Sequence, residues 1–185
     1  MDSREYPTRP IVAVGIVVLK GDQVLLVRRG VPPAFGKWSV PGGGVELEET
    51  LQEAAVRELK EECDLEVEFG PAIESIDRLI YDEDGKLQYH YVIVDFVARW
   101  VAGEPVAATD VSDARWVPVD QLRTMDTTTG LAEVVECAVA AARSLPKFPQ
   151  PRTFAGPGFK GGNYACPPPQ RCLLRSKSDR REQSK

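Results

Sequence analysis

The segment "PGGGVELEETLQEAAVRELKEECDL", residues 41–65, restricts the possible structures of this chain more than any other. Read as a helix beginning at Thr50, it places carboxylates where an ordinary soluble helix carries apolar side chains. At about 100° per residue, with Leu51 set to zero, Glu58 falls near −20°, Glu62 near +20° and Glu61 near −80°. The small and apolar residues Leu51, Ala54, Ala55 and Leu59 lie between about −60° and +80° on the same wheel. Two of the acids therefore share the stripe that has to face a core. Thr50 and Glu53 have capping-box spacing, which sets the start of the helix.

An ionised carboxylate costs several kcal/mol to bury uncompensated, and neighbouring ones repel each other. Raised proton affinity or a bound cation resolves the conflict. A cluster of carboxylate oxygens suits a hard ion, Mg²⁺ or Mn²⁺, better than zinc, since no His or Cys ligand is at hand in the motif. The preceding Pro41-Gly42-Gly43-Gly44 run lets the backbone bend tightly beside such a site.

The rest of the chain supplies a sheet and a second helix. "IVAVGIVVL" (11–19) reads as a buried strand, "GDQ" as its turn and "VLLVRR" (24–29) as a hairpin partner. Residues 29–37 read as a Pro/Gly loop and "WSV" (38–40) as a short strand. Residues 65–81 alternate well enough for one or two strands, 87–101 form the longest strand candidate, and 114–119 another. "VDQLRTM" suits a short helix, and the Ala-rich stretch 130–145 a second main helix. The fold class is α/β, with a domain over 1–145.

Residues 146–185 are rich in Pro, Gly and basic side chains and read as a disordered tail. Cys166 and Cys172 within it are too widely spaced for an ordinary zinc pair, while Cys63 and Cys137 read as plain buried thiols. Residues 145–185 carry nine Lys/Arg and two acids, a net of +7, so the −5 of the whole chain leaves −12 for residues 1–144. That acidic body argues against nucleic acid as a partner, except through the tail. No run approaches a membrane span, and the N-terminus lacks a signal-like apolar region, so the expected location is cytoplasmic.

The helix acids belong to a longer register, Gly43-x₅-Glu49-x₇-Arg57-Glu58-Leu59-x-Glu61-Glu62-x-Asp64-Leu65. This resembles the box of the Nudix (MutT-like) hydrolases, with one departure: Asp64 stands where the family has glycine. Glu48 also replaces a glycine common in relatives. The likeness runs over residues 10–145 and implies an α/β/α sandwich with a mixed central sheet. It implies Mg²⁺ or Mn²⁺ held by Glu58, Glu61, Glu62 and the Gly43 carbonyl, with Glu61 or Glu58 as general base and Glu49 and Arg57 as structural supports. Asp110 is the expected extra metal acid, with Asp113 its neighbour, against the alternative that both only form turns. Arg29, and less well Arg28, match a position that touches substrate phosphate. Trp38 is the candidate stacking aromatic, beside Phe35 and Tyr89, with core packing as the alternative. His90 reads as packing or surface. The implied reaction is hydrolysis of a nucleoside diphosphate linked to another group. ADP-ribose or a nucleotide sugar is favoured over an ordinary or oxidised nucleoside triphosphate, and a nucleotide-sensing module is the non-enzymatic rival. Relatives of this kind are often homodimers.

Overall fold

The computed structural model describes residues 4–107 and 111–145. Six strands and two main helices follow in the order β1 (Ile11–Lys20), β2 (Gln23–Arg29), β3 (Trp38–Ser39), α1 (Leu51–Cys63), β4 (Glu66–Tyr81), β5 (Leu87–Ala102), β6 (Val111–Pro118) and α2 (Leu131–Ser144). A 3₁₀ turn over Val119–Thr124 leads from β6 towards α2. The sheet runs β3-β2-β1-β5-β4, with β6 also paired to β2. β1 and β5 are parallel from Ile11↔Tyr91 to Leu19↔Arg99, and the other pairings are antiparallel. The sheet is therefore mixed, as the family resemblance implies. β4 is one long bulged strand rather than two, and β6 begins at Val111, three residues ahead of its expected start.

β1 has no polar alternation because both its faces are covered. Val17 and Leu19 join Leu26, Val97 and the α2 residues Val134, Val135 and Ala138 in one core. Val14, Ile16 and Val18 join Leu25, Phe96 and the α1 residues Ala54, Ala55 and Leu59 in the other. Each wholly buried Leu or Val contributes about 1.5–3 kcal/mol, enough to hold α1 firmly on the sheet despite its acids.

The detail that positions the site is a split in the sheet. β1 and β2 pair only at the hairpin end, Leu19↔Val24 and Lys20↔Gln23. Beyond it the edge of β1 is taken by the glycine segment. Ile16 N–H donates to the Pro41 carbonyl at 2.9 Å, Val14 N–H to the Gly43 carbonyl at 2.9 Å, and Val45 N–H to the Val12 carbonyl at 3.0 Å. Among the described residues no helix is long and apolar enough to cross a membrane.

Candidate active site

α1 starts as its sequence directs. Thr50 Oγ1 accepts from Glu53 N–H and the Glu53 carboxylate accepts from Thr50 N–H, a complete capping box. The helix stops at Asp64, which adopts the left-handed conformation at φ 48° and ψ 44°. That is the backbone state for which glycine is the usual residue, and Asp is among the few others that enter it. Glu48 has φ 71°, so the second departure from glycine also falls on a left-handed residue.

The glycines have separate tasks. Gly42, at φ 146°, lies so close to β1 that a Cβ would collide with the Val14 carbonyl. A Cβ on Gly43 would collide with the Glu58 carboxylate. Gly44 has open space around it. One glycine thus permits the approach of two backbones, and the next leaves room for a carboxylate.

Glu58 and Glu62 turn towards this loop. Glu62 Oε2 accepts from Gly42 N–H at 3.0 Å, and the Glu58 side chain is only 14% exposed. Burial pushes the Glu58 carboxyl up from its ordinary value, with Arg57 opposing the shift. Glu61 is the outer acid, its side chain 61% exposed, as its angle near −80° predicts. Arg57 ties the motif together. Nε and Nη2 grip Glu49 at 3.1 and 2.7 Å, Nη2 also donates to the Gly44 carbonyl at 3.0 Å, and Nη1 donates to Glu58 at 2.9 Å and Glu61 at 3.3 Å. The guanidinium, followed by Glu46 N–H, holds the Glu49 carboxyl below the usual carboxylate range. The wheel sends Arg57 away from the acids, but its stem is long enough to curl back, and one guanidinium serves both loop and helix.

Among the described residues no three His, Cys, Asp or Glu side chains converge as a preformed cage. Glu58 and Glu62 do lie against the glycine loop, whose Pro41 and Gly43 carbonyls accept from β1 N–H groups, with Glu61 one turn from Glu58. That set of hard oxygen donors matches Mg²⁺ or Mn²⁺ and not a softer ion. The Gly43 carbonyl already accepts from Val14 N–H, which occupies one of its two lone pairs.

The other candidates are spread out. Asp110 lies outside the described residues, as does the tail with Cys166 and Cys172. Asp113 pairs in register with Arg28 and stands 3.9 Å from Arg115. Arg28 Nε donates to the Gly36 carbonyl at 2.9 Å and Arg29 Nε to the Pro33 carbonyl at 2.8 Å, so both buttress the 30–37 loop. Trp38 is buried, and the Arg115 guanidinium covers its ring at 3.9 Å. Tyr89 is buried, with its hydroxyl donating to Glu5 at 2.6 Å and its ring stacked on Tyr91, whereas Phe35 is exposed. His90 is half-buried opposite Leu79. The Cys63 thiol is buried and pushed up to about 12 by that burial, which makes it inert.

Two features lie outside the candidates read from the sequence. Asp95, in the middle of β5, is 3% exposed, packs where Gly15 lacks a Cβ, and its Oδ2 has no hydrogen-bond partner. Burial, then the facing Glu74, pushes its carboxyl up to about 6, with Arg78 opposing. The stacking of Arg115 on Trp38 is the other. An acid in an otherwise apolar strand could have marked the first; nothing local marks the second.

A mixed sheet between two helices, with a carboxylate-bearing helix clasped to a glycine loop, defines a class of phosphoanhydride-handling domains. The chain belongs to the Nudix family, whose domain model matches residues 9–136. It is 33% identical over 113 residues to an ADP-ribose pyrophosphatase of Methanocaldococcus jannaschii, covering 61% of this chain and 64% of that protein. The match thus spans less than two thirds of the archaeal protein's length. It is 34% identical over 125 residues to a Mycobacterium tuberculosis protein provisionally named 8-oxo-dGTP diphosphatase 2, covering 60% of this chain and 82% of the other. A solved MutT Nudix hydrolase from Burkholderia pseudomallei superposes with a TM-score of 0.61 at 26% identity, over 69% of this chain and 97% of that one.

Proposed function

We propose that the protein hydrolyses a pyrophosphate bond in a nucleoside diphosphate linked to a second group, with ADP-ribose or a nucleotide sugar as favoured substrate and Mg²⁺ or Mn²⁺ as cofactor. The observation that carries this reading is the intact acid set on α1, two of whose members are gathered onto the Gly42–Gly43 loop. A fold-only nucleotide sensor has no need to hold a half-buried carboxylate at this cost. The 33% identity to a protein named ADP-ribose pyrophosphatase supports the substrate class. The 34% identity to the mycobacterial protein supports the second reading, an oxidised or ordinary nucleoside triphosphate.

Glu58, Glu61 and Glu62, with the Gly43 carbonyl and Asp110, would hold the ions. An ion bound there would supply charge neutralisation of the diphosphate and a lowered pKa for the attacking water. The chain's own part is positional. Arg57 fixes the loop against the helix through Glu49 and Gly44, so that the donors share one frame. Glu61, open to solvent, or Glu58, whose raised proton affinity suits a base, takes the proton as water oxygen attacks phosphorus. The anhydride P–O bond then breaks and leaves two phosphate esters. Arg29, at the end of β2, would contact the phosphates of the cleaved diphosphate.

The test is phosphate release, after phosphatase treatment, from ADP-ribose, nucleotide sugars, dinucleoside polyphosphates and nucleoside triphosphates with Mg²⁺, Mn²⁺ or chelator. Turnover that needs the metal and collapses in Glu61→Gln is expected. Tight nucleotide binding without turnover under any metal would refute the hydrolase and leave the sensor.

A further inference from the structure

Arg115 is the basic side chain whose setting the hydrolysis does not explain. β6 pairs with β2 so that Arg115 lies opposite Leu26 and Asp113 opposite Arg28. Leu26 faces the α2 core, so Arg28 and Arg115, two residues out of step on neighbouring strands, project from that same side of the sheet. Diagonal neighbours of this kind are within reach of each other's long side chains, and two guanidiniums repel there. Both open into a cavity of about 410 Å³ that Trp38, Gln121, Met125 and Asp126 also line.

The charges around them are engaged in a particular way. The Arg115 guanidinium rests on the Trp38 ring at 3.9 Å, a contact that steadies it and still allows it to donate hydrogen bonds. Its nearest carboxylate, Asp113, stands at 3.9 Å, and both side chains are half exposed. Arg28 donates to a neutral carbonyl, that of Gly36, and forms no ion pair among the described residues. Asp126, the acid in the cavity wall, is held by Lys37 at 3.1 Å. In a body of net charge −12, two neighbouring guanidiniums that share one loose carboxylate contact among the described residues, Arg115 to Asp113 at 3.9 Å, are a conspicuous arrangement. Planar guanidinium forks match phosphate oxygens, and a dianion between them would relieve their repulsion.

The cavity lies near the metal-binding acids along the chain. Trp38 precedes Gly43 by five residues, at most about 17 Å of extended backbone. Backbone length thus permits one extended nucleoside diphosphate derivative to touch both, although α1 and its acids pack on the other face of the sheet.

We infer that Arg28 and Arg115, the latter steadied on Trp38, form a subsite for a second phosphate group carried by the substrate at a distance from the bond that is cleaved. This rests on the hydrolase reading and deepens it: preferred substrates carry a phosphate monoester besides the diphosphate. Arg115 is a specificity residue and takes no part in the reaction at phosphorus.

Matched pairs test it: NADPH against NADH, and coenzyme A against dephospho-coenzyme A, with kcat/KM measured for the wild type, Arg115→Met and Arg115→Lys. The wild type should prefer the phosphorylated member of each pair. The preference should fall about ten- to a hundredfold in Arg115→Met, the worth of charge-assisted hydrogen bonds, and by less in Arg115→Lys, which keeps the charge and loses the fork. No wild-type preference, or one unchanged in Arg115→Met, overturns the subsite while hydrolysis stands. Should none of these compounds turn over, binding of adenosine 2′,5′-bisphosphate against adenosine 5′-monophosphate, read by tryptophan fluorescence, decides the matter. Tighter binding of the bisphosphate that disappears in Arg115→Met supports the subsite, and equal binding overturns it. Melting temperatures check that each variant folds, and Arg115→Gln replaces Arg115→Met if the latter does not.

Discussion

Replacing Asp95 by Asn should stabilise the protein at neutral pH. The side chain is 3% exposed, its Oδ2 lacks a partner, and Glu74 faces it from β4. Burial first, and the Glu74 charge second, raise its carboxyl from 3.8 to about 6. A raised acid favours its protonated form in the folded state, so ionisation acts against folding. The cost is absent below 3.8, where folded and unfolded chains are both protonated, grows as pH rises towards 6, and is complete above it. At about 1.36 kcal/mol per unit, the gap of roughly two units corresponds to about 3 kcal/mol at pH 7. For a domain of this size that raises the melting temperature by roughly 6–12 °C. Asn keeps the shape beside Gly15 and carries no charge. Urea unfolding of wild type and Asp95→Asn across pH 3.5–8 provides the measurement. The stability difference should be near zero at the acid end, rise between pH 4 and 6, and level off at roughly 3 kcal/mol. A difference independent of pH, or a variant less stable than wild type at pH 7, would refute the reasoning, since either requires a carboxylate compensated in the folded state.

Three further outcomes are expected. Glu48→Gly and Asp64→Gly each relieve a left-handed non-glycine residue and should add up to about 1 kcal/mol in denaturant unfolding; a loss would mean that a side-chain contact outweighs the backbone strain. Gly43→Ala places a methyl group against the Glu58 carboxylate, so metal-dependent turnover should fall at least about tenfold while melting changes little, because the moved group is the end of a side chain. Arg57→Lys keeps the charge but cannot span Glu49, Gly44 and Glu58 together, so a lower melting temperature and a raised metal requirement should appear together in thermal scans and metal titrations.

Helix boundaries, strand positions and the acid register were legible because they depend on local chemistry. The Thr50–Glu53 capping box, the Asp64 stop and the 3.6-residue period of Ala54, Ala55 and Leu59 are properties of a short stretch of chain. The unbroken apolar run of β1 announced burial on both faces for the same reason. The way Arg57 joins loop and helix at once was not legible, because a helix wheel projects Cα directions and ignores a flexible stem. The single long β4 was ambiguous because its bulges interrupt the two-residue alternation.

By itself, then, the sequence determined an α/β chain with three acids on the inner side and rim of one helix, behind a glycine loop, and the family follows from that spacing. Only the tertiary structure decided where the glycine loop lies, because the split between β1 and β2 that receives it depends on how far two strands remain paired. It alone brought Asp95 over Gly15 and Arg115 onto Trp38, residues about 80 positions apart in each case. Helical and strand periods act over a few residues, whereas contacts between distant strands arise from register and packing of the whole sheet, which no local pattern encodes.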